Sequence, residues 1–242
     1  MVHRSPFFSL YFGNARDEIY PPVYANLPAV PLVTSAPFDR VATILGARHM
    51  MFVRQTHSAH GLLVDDHALR AIRPFTYAGD YLITNKKQVA IGVMTADCLP
   101  VLIYDPNKRA AAAVHAGWRG ALEGVVVRAL EHMAQEYGTR AQEVEVFFGP
   151  SAGVCCYEVS PDFNLHLAGF SRAEVAKVLV QKDGAYFFDL PLCVQDQLVA
   201  AQVPLQNVHR EYGMCTMHNT DWCSYRRDGQ DAGRQMSVIC MR

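Results

Sequence analysis

The chain has 242 residues, with 22 Lys and Arg against 23 Asp and Glu and a formal net charge of −1. That balance, with no basic stripe or polybasic tail, excludes an electrostatic nucleic-acid binder, and no apolar run approaches the roughly 18 residues of a membrane span. Half the residues are hydrophobic and 19% are charged, as in an ordinary soluble globular protein with a large core.

Met1 to Phe12 carries a short apolar patch but no full hydrophobic region or small-residue cleavage site, so it does not read as a signal peptide. Pro21, Pro22, Pro28, Pro31 and Pro37 interrupt any long element before residue 48. Phe38 to Leu45 fits a short helix. Met50 to Val53 reads as a strand leading into the polar loop Arg54-Gln55-Thr56-His57. Tyr81–Thr84 and Val89–Met94 are further strands.

Leu99 to Tyr104 is an apolar run, Asp105-Pro106-Asn107-Lys108 is turn chemistry, and Arg109 to Val114 is a second apolar run. The spacing predicts a hairpin centred between Pro106 and Asn107, which sets Cys98 opposite His115 with Cβ atoms roughly 5 Å apart. Proline cannot supply the positive φ of a two-residue type I′ turn. The loop is therefore expected to be longer, and a one-residue shift would split the pair across two faces.

From Gly117 to Tyr137 the apolar residues recur at spacings of three and four, which predicts one helix stopped by Gly138. Val144–Phe148 reads as a strand, Arg172–Val180 and Pro191–Ala201 as helices, and Asn207–Arg210 and Met236–Cys240 as strands. No repeat or linker divides the chain. One α+β domain over residues 1–242 is the simplest account.

Cysteine and histidine together are natural zinc ligands. Cys98 and His115 lie at strand ends beside polar or glycine-rich turns. His57 in Gln55-Thr56-His57 offers a third ligand, with His60 as a rival. Two histidines and one cysteine leave a fourth position open, the arrangement of a catalytic zinc. The N–H groups at the start of the Gly117 helix and the Arg119 guanidinium suit an anion beside the metal. The competing reading is that Gly117 and Gly120 permit tight packing and Arg119 makes a structural ion pair.

Asp97 reads as a turn former, an orienter of the neighbouring ligand or a general acid/base, and Asp80 as a strand-entry residue. Arg226, Arg227 and Arg234 near Tyr225 form either a solvated loop or a site for an anionic or planar ligand. The seven cysteines are odd in number and contain no C-x-x-C, which favours free thiols in a reducing cytoplasm. Most read as small buried hydrophobes; Cys155 and Cys156, after the Gly149–Gly153 turn, either pack in the same way or line a cleft.

Taken in order, Gln55-Thr56-His57, Thr95-Ala96-Asp97-Cys98-Leu99-Pro100-Val101, Val114-His115-Ala116-Gly117-Trp118-Arg119-Gly120, the run Gly149 to Val159, Ser224-Tyr225-Arg226-Arg227 and Gly233-Arg234 resemble the YfiH/LACC1-type family. That family was first called a multicopper polyphenol oxidase, or laccase, domain. The resemblance spans roughly residues 50 to 242. It implies a sandwich of mixed β-sheets flanked by helices and zinc ligands at His57, Cys98 and His115. It also implies a cytoplasmic enzyme that phosphorolyses adenosine, inosine, guanosine and methylthioadenosine and deaminates adenosine. Phe12-Gly13-Asn14-Ala15 departs from the family's Gly-Gly-x-Ser-type stretch, which bears on the pocket wall and substrate choice. Thr56 replaces the usual valine.

Two other activities compete. A thiol amide hydrolase, of the kind that edits cell-wall precursors, would use Cys98 as nucleophile and His115 as base. A multicopper oxidase needs many histidines in His-x-His pairs. This chain has ten histidines and no such pair, although copper can replace zinc at a single Cys/His₂ set.

Overall fold

Leu99–Asp105 and Ala110–Ala116 form the central hairpin, and both strands are buried along their whole length. Each is covered on two faces, so both read as apolar runs rather than as alternating patterns. The computed structural model describes residues 1–19 and 36–242. The segment with Pro21, Pro22, Pro28 and Pro31 lies outside the described residues.

The hairpin register differs from the one expected. Pro100, not Cys98, lies opposite His115, and Asp105 pairs with Ala110. The centre therefore falls between Asn107 and Lys108. Asp105 Oδ1 accepts from the N–H groups of Asn107 (2.9 Å) and Lys108 (3.0 Å), and Arg109 turns the chain at a φ of 48°. All of residues 106–109 are thus drawn into the loop. A slip of two residues keeps His115 on the same face of its strand. Cys98 falls beyond the last strand pair, across from Gly117.

A six-stranded sheet runs in the order Val208–His209, Glu145–Phe148, Leu99–Asp105, Ala110–Ala116, Tyr81–Thr84, Gly61–Leu63. A five-stranded sheet runs Val2–Arg4, Phe8–Phe12, Gln235–Met241, Val89–Thr95, His49–Phe52. Both mix parallel and antiparallel neighbours. Phe8, Leu10, Ile91 and Ile239 of one sheet meet Leu82, Leu102, Tyr104 and Phe147 of the other in a shared core. Ala111 and Ala113 on the inner face let the sheets approach closely.

The outer face of the six-stranded sheet packs against the helices Val125–Tyr137 and Leu190–Ala200 through Val101, Ile103, Val126, Met133 and Leu198. The outer face of the other sheet carries the helix Ala36–Leu45, with Phe38 and Val41 against Phe52 and Val238. A small sheet, Glu158–Val159, Ala185–Phe188 and Leu179–Lys182, completes the fold. The fold is an α+β sandwich of mixed sheets flanked by helices.

Two helix expectations need correction. The helix drawn from Gly117 to Tyr137 is two, Trp118–Leu122 and Val125–Tyr137, separated at Gly124 with φ 77°. The two pieces keep a common buried face, so the apolar spacing ran through the break. The helix drawn to Val180 ends at Val178, and Leu179–Lys182 is a strand. Gly138 stops its helix as expected, at φ 68°. No helix among the described residues is long and apolar enough to cross a membrane.

Candidate metal centre

The ligand atoms of His57, Cys98 and His115 all lie within 4.8 Å of one another. His57 Nε2 is 3.8 Å from Cys98 Sγ, and the rings of His57 and His115 have centroids 4.9 Å apart. His60 is exposed and is not part of this group. Each ligand arrives by a different local device.

Asp80 supplies the first device. It is fully buried. Its carboxylate accepts from the backbone N–H groups of Thr56 (3.2 Å), His57 (2.9 Å) and Ser58 (2.7 Å). The hydroxyls of Thr56 (3.1 Å) and Ser58 (2.8 Å) add to these. His57 reaches this ring of donors with a φ of 60°, a left-handed conformation uncommon for a side-chain-bearing residue. The same carboxylate lies 2.8 Å from His115 Nδ1. That contact fixes the ring and leaves Nε2 for the site, as a carboxylate does behind a metal-bound histidine. Asp80 is therefore far more than a strand-entry residue. The signal for it was an acid leading into the wholly buried strand Tyr81–Thr84.

Gln55 aligns the His57 loop. Its side-chain amide donates to the Met94 carbonyl (2.7 Å) and accepts from the Met94 N–H (2.8 Å). Asp97 turns the chain before Cys98 with a φ of 89°. Its carboxylate accepts from the Thr216 hydroxyl and the Arg226 N–H, both at 2.6 Å, and its carbonyl accepts from the Ala152 N–H at 2.8 Å. Asp97 is thus a turn former, and its carboxylate ties the Thr216 and Arg226 segments to the turn before Cys98.

Charge follows this geometry. Burial opposes ionisation of Asp80, yet the His115 and Ser58 hydrogen bonds hold its carboxyl well below the usual carboxylate range. Burial likewise opposes a thiolate at Cys98. The His115 charge and the hydrogen bonds from both histidines outweigh it, and the thiol falls to about 6. Burial disfavours an imidazolium at His115, but the Cys98 charge and Asp80 raise it to about 9. In the metal-free chain this is a thiolate–imidazolium pair.

Gly117 closes the site. A Cβ there would stand 2.7 Å from His57 Cδ2 and 3.2 Å from Cys98 Sγ. The glycine is required by close approach, since its φ of −72° is open to any residue. Gly117→Ala should push His57 aside and lower metal affinity by about tenfold or more, an overpacking cost of about 1–3 kcal/mol. Metal titration of the variant checks this, and unchanged affinity would contradict it.

A cavity of about 650 Å³ opens over the three residues, lined also by Phe75, Met94, Tyr225, Arg54 and Arg234. Arg234 stands 5.8 Å from the Tyr225 ring. Arg226 and Arg227 instead hold structure. Arg226 donates to the Glu158 carbonyl (2.7 Å), and Arg227 to the carbonyls of Thr216 (2.8 Å) and Trp222 (2.9 Å). Arg119 is exposed and stacks on Trp118 at 4.4 Å. Among the described residues it has no carboxylate partner within ion-pair distance, so the structural ion pair is not formed.

Residues 33–242 match the model of the multi-copper polyphenol oxidoreductase laccase family. The chain belongs to this family. It is 36% identical over 238 residues to a purine nucleoside phosphorylase of Clostridium acetobutylicum, covering 96% of this chain and 91% of that protein. It is 29% identical over 199 residues to adenosine deaminase RL5 of an unknown prokaryotic organism, covering 78% and 74%. Among solved structures it resembles Bacillus licheniformis hypothetical protein YfiH, with a TM-score of 0.83 and 25% identity over 97% of this chain and 93% of that one. Relatives of this chain thus carry phosphorylase and deaminase names. The motifs that pointed to the family from sequence lie around the His57–Cys98–His115 group.

Proposed function

We propose that the chain is a zinc-dependent purine nucleoside enzyme. It phosphorolyses adenosine, inosine, guanosine and methylthioadenosine, and it deaminates adenosine. The observation that carries this is a Cys/His₂ group at the floor of a cavity walled by Phe75 and Tyr225 and lined by Arg54 and Arg234. The names of the relatives support the same reading. The donor set suits zinc in its chemistry: two imidazoles, one thiol already disposed to ionise, and a carboxylate behind His115. Zinc held by His57, Cys98 and His115 would supply Lewis acidity and would bring the pKa of bound water to about 7. Copper would also bind such a set.

The chain's own residues supply the rest. Phe75 and Tyr225 offer ring faces to a purine base. Asp80 keeps His115 from rotating and holds His57 in register. Arg119 and the first N–H groups of its helix hold phosphate against the ribose. The free thiols fit a reducing cytoplasm, where purine nucleosides and phosphate are at hand.

Arg119→Ala tests the phosphate role. Loss of one charge-assisted hydrogen bond costs about 1.5–3 kcal/mol, so phosphorolysis should fall about ten- to a hundredfold through a raised phosphate KM. Deamination of adenosine should fall less. Equal loss of both activities with a lower Tm would assign Arg119 to packing on Trp118 instead.

One observation favours a second reading. The lowered Cys98 thiol beside His115 is the arrangement of a cysteine nucleophile and its base. Full activity in the chelator-treated protein, with a covalent Cys98 adduct, would favour the amide hydrolase over the zinc enzyme.

A further inference from the structure

Four side chains outside this centre meet at a second place. Cys155, Cys156, Cys215 and His218 bring three sulfurs and one imidazole nitrogen within 4.8 Å of one another. Cys155 Sγ lies 3.5 Å from His218 Nδ1. None of the four is buried, whereas Cys193, Cys223 and Cys240 are. Cysteines that served only as small hydrophobes would be expected with the second group.

The backbone is built around the cluster. The N–H groups of Cys156 and Tyr157 both donate to the Gly153 carbonyl at 2.9 Å, a turn that presents adjacent cysteines to one point. The Ser151 N–H donates to the Met214 carbonyl and the Thr216 N–H to the Ser151 carbonyl, each at 3.0 Å. Those bonds hold Cys215 beside the turn. The Gly153 N–H points at Cys215 Sγ from 3.4 Å, and the N–H groups of Met217 and His218 are aimed at the same sulfur. Donors gathered on one sulfur suit a thiolate rather than a packed thiol. A Cβ on Gly153 would stand 3.2 Å from both Cys155 Sγ and Cys215 Cβ, so the cradle accepts only glycine without adjustment.

We propose that Cys155, Cys156, Cys215 and His218 form a second, structural zinc site. Three soft thiolates and one imidazole select zinc over the hard cations, and four protein ligands leave no position for substrate. The ion clamps two segments that both reach the first centre. Thr216, next to Cys215, donates to the Asp97 carboxylate, and Ala152, three residues before Cys155, donates to the Asp97 carbonyl. Asp97 in turn sets Cys98. The clamp stands whether or not the nucleoside reading does.

The test is metal content of the full chain purified under reducing conditions, with cobalt(II) as a spectroscopic probe. Wild type should hold two zinc ions per chain. Cys98→Ala should hold one, and its cobalt(II) form should show strong thiolate-to-cobalt charge transfer with tetrahedral d–d bands. Cys155→Ser and Cys215→Ser should each lower wild-type zinc from two to one. The cobalt spectrum is read on a chain with all four residues intact, so misfolding of a cysteine variant does not decide the matter. A folded Cys98→Ala protein that binds neither ion at this place would overturn the proposal. So would a disulfide among Cys155, Cys156 and Cys215 under the same conditions.

Discussion

Asp80→Ala will lower the unfolding free energy by about 3–5 kcal/mol, because it removes one partner of a buried pair. For a chain of this size that is a fall of about 6–20 °C in Tm. The carboxylate is fully buried and serves three backbone N–H groups, two hydroxyls and the His115 ring. Without it those donors stay buried and unpaired. The His57 loop loses its anchor and His115 its fixed orientation, so metal affinity should also fall about 10- to 100-fold. Asp80→Asn keeps the shape but turns an amide NH₂ toward other donors, and should be nearly as damaging.

The pH dependence has a definite sign. The folded carboxyl of Asp80 is held below its unfolded value, so its contribution is present above about pH 4 and lost as pH falls through the lower folded value. The stability gap between wild type and Asp80→Asn should be flat near neutrality and close below about pH 4. Urea unfolding across that range reads it. Wild-type stability and full metal content in Asp80→Ala would remove Asp80 from its place behind both histidines.

Cys98→Ala carries the second large effect. It should empty the first centre and cut turnover of nucleosides by more than about a hundredfold, since a metal's Lewis acidity is worth several kcal/mol. The Tm of the metal-free protein should change little, because Cys98 lies beyond the last pair of its strand and is only half-buried, so the Tm lost in the loaded protein is the metal's own contribution. The metal-free wild type offers a companion reading. Its Cys98 thiolate is populated above a pKa of about 6 and lost as pH falls through it. Iodoacetamide should therefore alkylate Cys98 near neutral pH in metal-free protein, more slowly below about pH 6, and scarcely at all once zinc is bound. Zinc uptake near neutrality should release the His115 proton, so affinity should climb with pH up to about 9. Alkylation unaffected by zinc would detach Cys98 from the metal.

The parts of this fold that were legible from sequence are those where local pattern and tertiary role agree. Tyr81–Thr84 and Val89–Thr95 are strands because β-branched and apolar residues run unbroken between polar turns. The hairpin existed as read, but its register did not, because Asp105 captures two amides and Arg109 accepts a left-handed turn. Neither choice shows in hydrophobic spacing. The break at Gly124 was hidden for the opposite reason, since both helices bury the same face. The grouping of His57, Cys98 and His115 was legible because each sits in a distinctive short motif. Asp80 was not, for its meaning depends on amides more than twenty residues away. For Cys155 and Cys156 the sequence does not choose between packing and a cleft, because Cys215 and His218 join them only in the folded chain.

The central claim is that this chain acts on purine nucleosides through His57, Cys98 and His115. Zinc-loaded protein incubated with adenosine, inosine, guanosine or methylthioadenosine, with and without phosphate, and followed by mass spectrometry tests it most directly. The expected result is inosine and ammonia from adenosine alone. With phosphate, free base and the corresponding ribose 1-phosphate should appear from the nucleosides, and oxygen uptake with a phenol should be negligible without added copper. Untouched nucleosides together with ready oxidation of phenols would contradict the account.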